Sequence, residues 1–229
     1  MLGIMWGINK MQNIKIKNFI YLLVGFSGLI WFILACLSKL DLSVAKDFFS
    51  LAPKVISIDL IVIGVFVKWG WKFKVFRSWL VPFPNVNGTW LGNIRSDWID
   101  PKTGERVPLI PVMLTIKQSF NKLNCVMHTT EMKSTSISEG FNINIDKQVK
   151  QLSYIYTSKP RITLNKRSVP HDGAIVFDII ETPSKKMKGR YWTERNTTGE
   201  IILTYKSKVI FEEMPEETPE HPVTESENR

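Results

Sequence analysis

The sequence predicts a membrane protein with two N-terminal transmembrane α-helices followed by an all-β cytosolic domain. Two apolar segments, Phe19–Leu37 and Phe48–Val67, lie close together near the N-terminus of the 229-residue chain. After Pro82 the apolar runs give way to short segments in which apolar and polar residues alternate. About 20 apolar residues are needed to cross a bilayer, and period-two alternation is typical of β-strands. The chain therefore divides into a membrane part and a β-rich part.

The first apolar segment, Phe19–Leu37, contains no charged residue. At a rise of ~1.5 Å per residue a helix of this length reaches about 28 Å, close to the ~30 Å hydrocarbon core of a bilayer. A secretory signal peptide would have a shorter apolar region and a small-residue cleavage site, and no clear site follows Leu37. We therefore predict a retained transmembrane helix.

The second apolar segment is interrupted by Pro53, Lys54 and Asp59. Because proline suits the first turn of a helix, the second helix is predicted to begin near Pro53. It continues into the stretch WGWKFKVFRSWL, in which Trp and Phe alternate with Lys and Arg as they do at membrane interfaces. The alternative is a buried helix of a soluble domain, which the nearby first segment makes less favourable.

Basic residues flank the two helices. Lys10, Lys15 and Lys17 precede the first helix, and four more basic residues follow the second. The positive-inside rule therefore places both termini in the cytoplasm and the short connector outside. This topology predicts a multi-pass membrane protein with both termini in the cytoplasm.

Asp59 is the acidic residue within the second apolar segment. A carboxylate at the centre of a bilayer costs ~2.5–3.5 kcal/mol on insertion scales. Either Asp59 faces a neighbouring helix in an oligomer, which would give it a role in membrane assembly, or it reaches the outer interface.

Charge and cysteine content indicate the surroundings of the chain. The net charge is +9, whereas residues 211–229 hold seven acidic residues and one arginine. A basic body indicates an anionic partner, such as lipid headgroups, phosphates or nucleic acid. Cys36 and Cys125 lie in very different segments, so a disulfide between them is improbable and the protein is predicted to be reduced and cytosol-facing.

Eight alternating segments after Pro82 are predicted as strands, and no useful helical periodicity interrupts them. Eight short strands in so few residues fit a sandwich or a small closed barrel. Residues 211–229, rich in Glu and Pro, are predicted to be disordered. The predicted strands are Gly88–Ser96, Val112–Gln118, Leu123–Thr130, Ser136–Ile145, Val149–Thr157, Gly173–Glu181, Lys188–Arg195 and Glu200–Lys206. The predicted regions are a cytosolic N-terminus (1–18), helix 1 (19–37), an external connector (38–54), helix 2 with its interfacial extension (55–81), the β domain (82–210) and an acidic tail (211–229).

The segment Gly189–Leu203 has the pattern of a β-hairpin and carries the best candidate for a binding face. Alternation places Tyr191, Thr193 and Arg195 on one face, and Arg190 and Trp192 on the other. An aromatic ring, a hydroxyl and a guanidinium could hold a nucleobase and a phosphate. The same hairpin could instead only close a barrel with its arginine in solvent, and the sequence leaves open which face points inward.

Further candidates lie on other predicted strands. Tyr154 and Tyr156 share a face, and tyrosines inside a barrel most often only pack in the core. Ser136 belongs to a hydroxyl-rich stretch that could satisfy strand edges or bind phosphate or base edges. His171 stands at a turn that enters a strand, where a capping or packing role is more common than catalysis.

No catalytic arrangement is visible in the sequence. His128, His171 and His221 lack metal-ligand spacing and a nearby Cys or paired-carboxylate partner. There is neither a P-loop nor a dinucleotide-binding fingerprint. We therefore predict a protein that is not an enzyme and that has no metal and no cofactor.

An ordered set of short motifs behind two helices resembles a known family, the SMODS-associating two-TM, β-strand-rich effectors of cyclic-oligonucleotide-based antiphage signalling (CBASS). The resemblance covers residues 15–207. The stretches that carry it are Gly88–Gly92, Thr115–Gln118, Ser134–Ser138, Leu152–Tyr156, His171–Ala174 and Gly189–Tyr191, with Thr193, Arg195 and Gly199.

The resemblance implies an eight-stranded up-and-down β-barrel that binds a cyclic dinucleotide from a CD-NTase-type cyclase. Binding would drive homo-oligomerisation of the helices in the lipid bilayer, inner-membrane disruption and abortive-infection cell death, and no DNA or RNA polymer is expected as partner. The alternative is a membrane-tethered, lipocalin-like carrier of an apolar molecule. Site residues chosen by face and chemistry are Tyr154, Tyr156 and Tyr191 for stacking, Arg195 for phosphate, and Ser136, Thr193 and His171 for hydrogen bonds.

Overall fold

The computed structural model describes residues 16–223 apart from 42, 78, 102 and 165–167. The chain divides into two compact units, Met1–Pro84 and Asn85–Arg229. Most of the predicted cytosolic N-terminus and the last six residues of the predicted tail, 224–229, lie outside the described residues.

The first unit contains two long helices, α1 (Ile16–Ser38) and α2 (Ala45–Lys68). Both are long and apolar enough to cross a bilayer. Many of their large apolar side chains are exposed, among them Phe32 and Leu60. Two long apolar N-terminal helices are thus present as predicted.

The predicted start of the second helix near Pro53 is wrong, because α2 begins at Ala45 and includes Pro53. Proline inside a helix removes one backbone hydrogen bond. Contacts with α1 favour the extra turns: the Phe48 ring stacks on Trp31 at 4.3 Å, and Trp31 Nε1 donates to the Phe48 carbonyl at 3.1 Å. Asp47 also lies in the first turn, where a negative charge stabilises a helix.

Asp59 contacts the other helix of its own chain. The Ser27 hydroxyl donates to Asp59 Oδ2 at 2.7 Å. The second carboxylate oxygen, Oδ1, is buried and has no hydrogen-bond partner among the described residues. A helix–helix contact of Asp59 therefore exists within one protomer, and a contact between protomers stays a prediction.

The segment after α2 forms two short 3-10 turns, Gly70–Lys72 and Lys74–Phe76. Trp71 is buried, whereas Trp69 and Phe73 are exposed. The Lys68 ammonium lies 4.4 Å from the centroid of the Trp69 ring. Exposed aromatic rings beside lysines are typical of a membrane interface, and the interfacial role of this segment stays a prediction.

The second unit is a closed barrel of eight antiparallel strands in chain order, in which β1 pairs with both β2 and β8. This confirms the predicted fold class. All eight predicted strands are present: β1 has the predicted ends, and the other seven differ by a few residues at one or both ends. The strands are β1 (Gly88–Ser96), β2 (Ile110–Gln118), β3 (Leu123–His128), β4 (Met132–Asn144), β5 (Val149–Pro160), β6 (His171–Ile180), β7 (Lys186–Thr193) and β8 (Thr198–Ser207).

The barrel interior follows the alternation seen in the sequence. Leu152, Tyr154 and Tyr156 of β5 are all buried, as their shared face predicts. Trp90 is 1% exposed, and its Nε1 donates to the Val86 carbonyl at 3.0 Å. Because this indole fills the interior next to the seam between β1 and β8, it belongs to the core.

The prediction that the tail is disordered does not hold for residues 211–223, which run along the barrel. The Phe211 N–H donates to Thr89 Oγ1 at 3.0 Å, at the start of β1. Near the opposite end of the barrel, His221 Nδ1 lies 3.3 Å from Glu131 Oε1. The acidic composition gave no indication that Phe211 and His221 contact the barrel.

Candidate ligand-binding site

A cavity of about 380 Å³ lies at one end of the barrel. In an up-and-down barrel, the ends of odd-numbered strands and the starts of even-numbered strands meet at the same end. The lining residues come from these places and from the tail. They include Ser96, Trp98, Glu131, Ser134, Tyr156, Ser158, Ser168, His171, Tyr191, Thr193, Arg195, His221 and Val223.

The hairpin β7–β8 presents the face with Tyr191 and Thr193 to the cavity. Arg190 and Trp192 point outward, and Trp192 is 48% exposed. Arg195, two residues after the end of β7, continues the inward face. The sequence left open which face of this hairpin points into the barrel. The inward face is the one whose residues suit ligand contact.

Arg195 contacts two neighbours, and one buried nitrogen of its guanidinium has no hydrogen-bond partner among the described residues. Its Nη1 donates to Ser168 Oγ at 3.0 Å, and its Nη2 lies 3.4 Å from His171 Nε2. Its Nε is buried without a hydrogen-bond partner among the described residues. A buried, unpaired N–H on a positive side chain is costly unless an acceptor arrives. The guanidinium is thus suited to an anionic ligand.

His171 acts as a neutral acceptor beside Arg195. Burial lowers the pKa of His171, and the nearby positive charge of Arg195 acts in the same direction. Its Nδ1 lies 3.0 Å from the Val169 carbonyl. The tautomer with the proton on Nδ1 satisfies that carbonyl and leaves Nε2 free to accept from Arg195.

Acidification is expected to destabilise the barrel through His171. Because its pKa is lower in the folded than in the unfolded state, the unfolded chain binds more protons once the pH falls below about 6.5. The free energy of unfolding should therefore decrease between pH 7 and pH 5, as measured by urea titration. His171→Gln should reduce this decrease. An identical decrease in the variant would show that His171 does not cause the loss of stability at low pH. Burial also lowers the pKa of His128, so some pH dependence should remain.

Two tyrosine rings on the cavity wall lie against glycines. A Cβ on Gly173 would come within 2.5 Å of the Tyr156 ring, and a Cβ on Gly199 within 2.5 Å of the Tyr191 ring. The Tyr191 hydroxyl donates to Ser96 Oγ at 3.0 Å. Burial raises the pKa of both tyrosines, so both rings stay neutral at pH 7. The glycines leave space for these rings on the strand surface, where a base could stack on them.

Thr193 lines the cavity but is already hydrogen-bonded within the hairpin. Its hydroxyl lies 2.7 Å from Thr197 Oγ1, and its N–H donates to the Thr197 carbonyl at 3.0 Å. These bonds close the turn that carries Arg195. Thr193 therefore shapes the turn as well as the cavity wall.

Tyr154 and Ser136 do not line the cavity. Tyr154 lies two residues deeper than Tyr156 on β5 and is surrounded by core residues such as Phe177, with ring centroids 6.3 Å apart. The Ser136 hydroxyl accepts from the Cys125 N–H at 2.9 Å, beyond the last β3–β4 pair at Val126. Ser136 thus closes the seam between two strands. The strand face and side-chain chemistry seen in the sequence did not predict how deep these two residues lie in the barrel.

The cavity contains polar residues that were not among the predicted site residues. Ser158, on the same face as Tyr156 and two residues further along β5, accepts a hydrogen bond from the Ser134 hydroxyl at 3.0 Å. The alternation could have found Ser158 if the strand had been extended. Glu131, on the β3–β4 turn, and His221, in the tail, had no sequence signal because only long-range contacts bring them here.

Comparison with known proteins decides the family. The family described as "Cap15, cyclic dinucleotide receptor domain" matches residues 81–205. The chain belongs to this family. The matched stretch covers more than half of the chain and includes all strands of the barrel up to Tyr205 in β8.

A relative in the Cap15 family is similar over the same region. CD-NTase-associated protein 15 of Staphylococcus schleiferi is 26% identical over 143 residues, which cover 62% of this chain and 71% of the relative. Together these matches confirm the resemblance to a CBASS effector family. The Cap15 family is described by a receptor domain and not by a catalytic activity.

Proposed function

We propose that this chain is a CBASS effector whose barrel binds a cyclic dinucleotide from a CD-NTase-type cyclase. Binding drives oligomerisation of the two helices in the bacterial inner membrane, disrupts that membrane and kills the infected cell. The observation that carries the proposal is the match of the barrel to a cyclic dinucleotide receptor domain, with a cavity that holds a partly unpaired arginine.

The chemistry of the cavity suits both parts of such a ligand. The Arg195 guanidinium has an unused N–H for a phosphodiester oxygen. Tyr156 and Tyr191 offer rings for stacking, which is worth ~1–3 kcal/mol per base. Ser134, Ser158 and neighbouring hydroxyls can donate to or accept from polar base edges.

The alternative, a carrier of an apolar molecule, fits the cavity less well. Such a ligand would leave the buried Nε of Arg195 without an acceptor and would cover polar side chains such as Ser168 and His171. Burial of unsatisfied polar groups opposes binding. The polar lining therefore favours an anionic, hydrogen-bonding ligand.

A direct binding measurement tests the proposal. Full-length protein in detergent is titrated by calorimetry with cyclic dinucleotides that combine A, C, G and U. At least one of them is expected to bind with a defined stoichiometry, and linear dinucleotides of the same bases serve as controls. Absence of heat with the whole panel, in protein whose barrel is folded by circular dichroism, would contradict the proposal.

Ligand binding would lead to membrane damage by shifting the equilibrium from single protomers to the assembled form. A ligand can promote assembly only if it binds the assembled form more tightly than the single protomer. The two apolar helices expose many large apolar side chains, which suits both lipid and a second protomer. The proposed orientation keeps both termini and the barrel in the cytoplasm, where the cyclase product is made.

Asp59 is proposed to contribute to assembly through Oδ1, which has no hydrogen-bond partner in the described part of the chain. In Asp59→Leu, ligand-dependent cross-linking of protomers in membranes is expected to decrease strongly, while the barrel still binds the ligand with the lower affinity of the single protomer, because the coupling between binding and assembly is reciprocal. Ser57→Leu is the matched control, since Ser57 is exposed on the same helix and its hydroxyl donates to the Pro53 carbonyl of that helix. Undiminished cross-linking in Asp59→Leu would contradict this role.

A further inference from the structure

Glu131 is an acidic side chain in a cavity proposed to hold an anion. It is 5% exposed and is the one acidic residue among the described residues that line the cavity. A carboxylate repels phosphates but accepts hydrogen bonds well from N–H groups. A carboxylate at this position is therefore suited to a ligand group that donates a hydrogen bond.

The topology separates Glu131 from Arg195. Glu131 lies on the turn between β3 and β4, whereas Arg195 lies on the turn between β7 and β8. Four strands separate the two turns in each direction around the closed barrel. The negative and the positive group therefore lie on opposite sides of the mouth, the end of the barrel at which the cavity opens. A phosphate bound at Arg195 can thus avoid Glu131.

The turn holds Glu131 in place. Thr129 Oγ1 accepts from the Glu131 N–H at 3.4 Å and from the Met132 N–H at 3.1 Å. The Glu131 carbonyl accepts from the Arg161 N–H at 3.0 Å. A fixed backbone gives the carboxylate a defined position, which hydrogen-bond recognition needs.

The tail contacts this carboxylate. His221 Nδ1 lies 3.3 Å from Glu131 Oε1, and both side chains are nearly buried. Val223, two residues on, also lines the cavity. The tail begins this path at Phe211, near the start of β1, at the opposite end of the barrel. Residues 211–223 thus form a strap that runs along the barrel and ends at the mouth.

We propose that Glu131 reads the N–H edge of one base of the ligand, and that His221 of the strap occupies this carboxylate until the base takes its place. The inference rests on the proposed function, because it names the ligand group that faces Glu131. Nucleobases carry N–H donors on their pairing edges, and a carboxylate is their natural acceptor. The ligand and the strap then compete for the same oxygen atoms.

A double-mutant cycle on ligand affinity tests this inference. The probe is whichever cyclic dinucleotide of the panel the full-length protein binds most tightly in detergent. Glu131→Gln is expected to weaken its binding by about tenfold, as for loss of a hydrogen bond to a charged group. His221→Ala is expected to strengthen binding by about threefold or more, because the competing contact is gone. In the Glu131→Gln background His221→Ala should have no further effect. Glu220→Ala, an exposed neighbour in the strap, is the control and should leave affinity unchanged.

The outcomes separate this inference from the proposed function. Unchanged affinity in Glu131→Gln, while Arg195→Ala still weakens binding, would overturn the inference and leave the proposed function in place. Weaker binding in His221→Ala would also overturn it, since the strap would then help to hold the ligand. If wild-type protein binds no cyclic dinucleotide, the proposed function itself fails. His221 lies in the tail, so His221→Ala keeps the test valid even if a change at Glu131 disturbs the turn.

Discussion

Replacing Arg195 by alanine is expected to weaken cyclic dinucleotide binding by roughly tenfold to hundredfold, as for loss of hydrogen bonds to a charged group. The guanidinium lines the cavity, and its buried Nε has no hydrogen-bond partner among the described residues. An incoming phosphate would satisfy that donor and keep both other contacts of the side chain. The loss should appear in calorimetric titrations of the full-length protein.

The matched control is Arg190→Ala. Arg190 lies on β7 five residues before Arg195, but it is exposed on the outer face of the barrel. Both variants remove one positive charge, so a general effect of net charge would weaken binding in both. We expect affinity to fall only in Arg195→Ala. Equal affinities in the two variants would remove Arg195 from the site.

Arg195→Lys adds a finer comparison. Lysine keeps the positive charge but cannot reproduce the flat fork that reaches Ser168 and His171 together. Its affinity should therefore fall between those of the wild type and Arg195→Ala. An affinity equal to that of the alanine variant would show that the geometry of the guanidinium matters more than its charge.

Replacing Trp90 by alanine is expected to lower the free energy of unfolding of the barrel by about 3–5 kcal/mol, the usual cost of removing a large buried aromatic side chain. Trp90 is 1% exposed, donates to the Val86 carbonyl at 3.0 Å and packs edge-on against Tyr205, with ring centroids 5.1 Å apart. Its removal leaves a cavity next to the seam between β1 and β8. Closure of the barrel depends on that seam.

Cys125 provides a probe that reports on the barrel alone. This thiol is fully buried, whereas Cys36 in the first unit is exposed and can be replaced by serine. Alkylation of Cys125 in increasing urea then measures opening of the barrel, because burial also raises the pKa of the thiol and keeps it unreactive while folded. Trp192→Ala is the control and should cost about 1 kcal/mol or less, since that side chain is 48% exposed. Equal effects of the two substitutions would contradict the assignment of Trp90 to the core.

Local patterns were sufficient to predict most of the architecture. Two apolar runs, the second of them interrupted by Pro53, Lys54 and Asp59, predict the two long helices. Period-two alternation predicts all eight strands and the inward face of β5. Both patterns depend only on neighbouring residues along the chain, because a helix or strand repeats its side-chain directions at a fixed spacing. The short motifs also carried the family, which the match over residues 81–205 confirms.

Element ends and residue depth were harder to predict. The start of α2 moved to Ala45 because Phe48 stacks on Trp31 in the other helix. Ser136 closes the β3–β4 seam and Tyr154 lies in the core, so two of the seven predicted ligand contacts stand away from the cavity. In each case a contact between distant parts of the chain decided the outcome.

The sequence by itself determined the two apolar helices, the eight-stranded barrel and the family, since periodicity and short motifs are local properties. The tertiary structure alone decided that Tyr191, Thr193 and Arg195 face the cavity, and that Glu131 and His221 meet at its mouth. The first depends on the closure of β8 onto β1, which fixes the inside of every strand. The second depends on the path of the tail, which a few contacts scattered among acidic residues direct along the barrel.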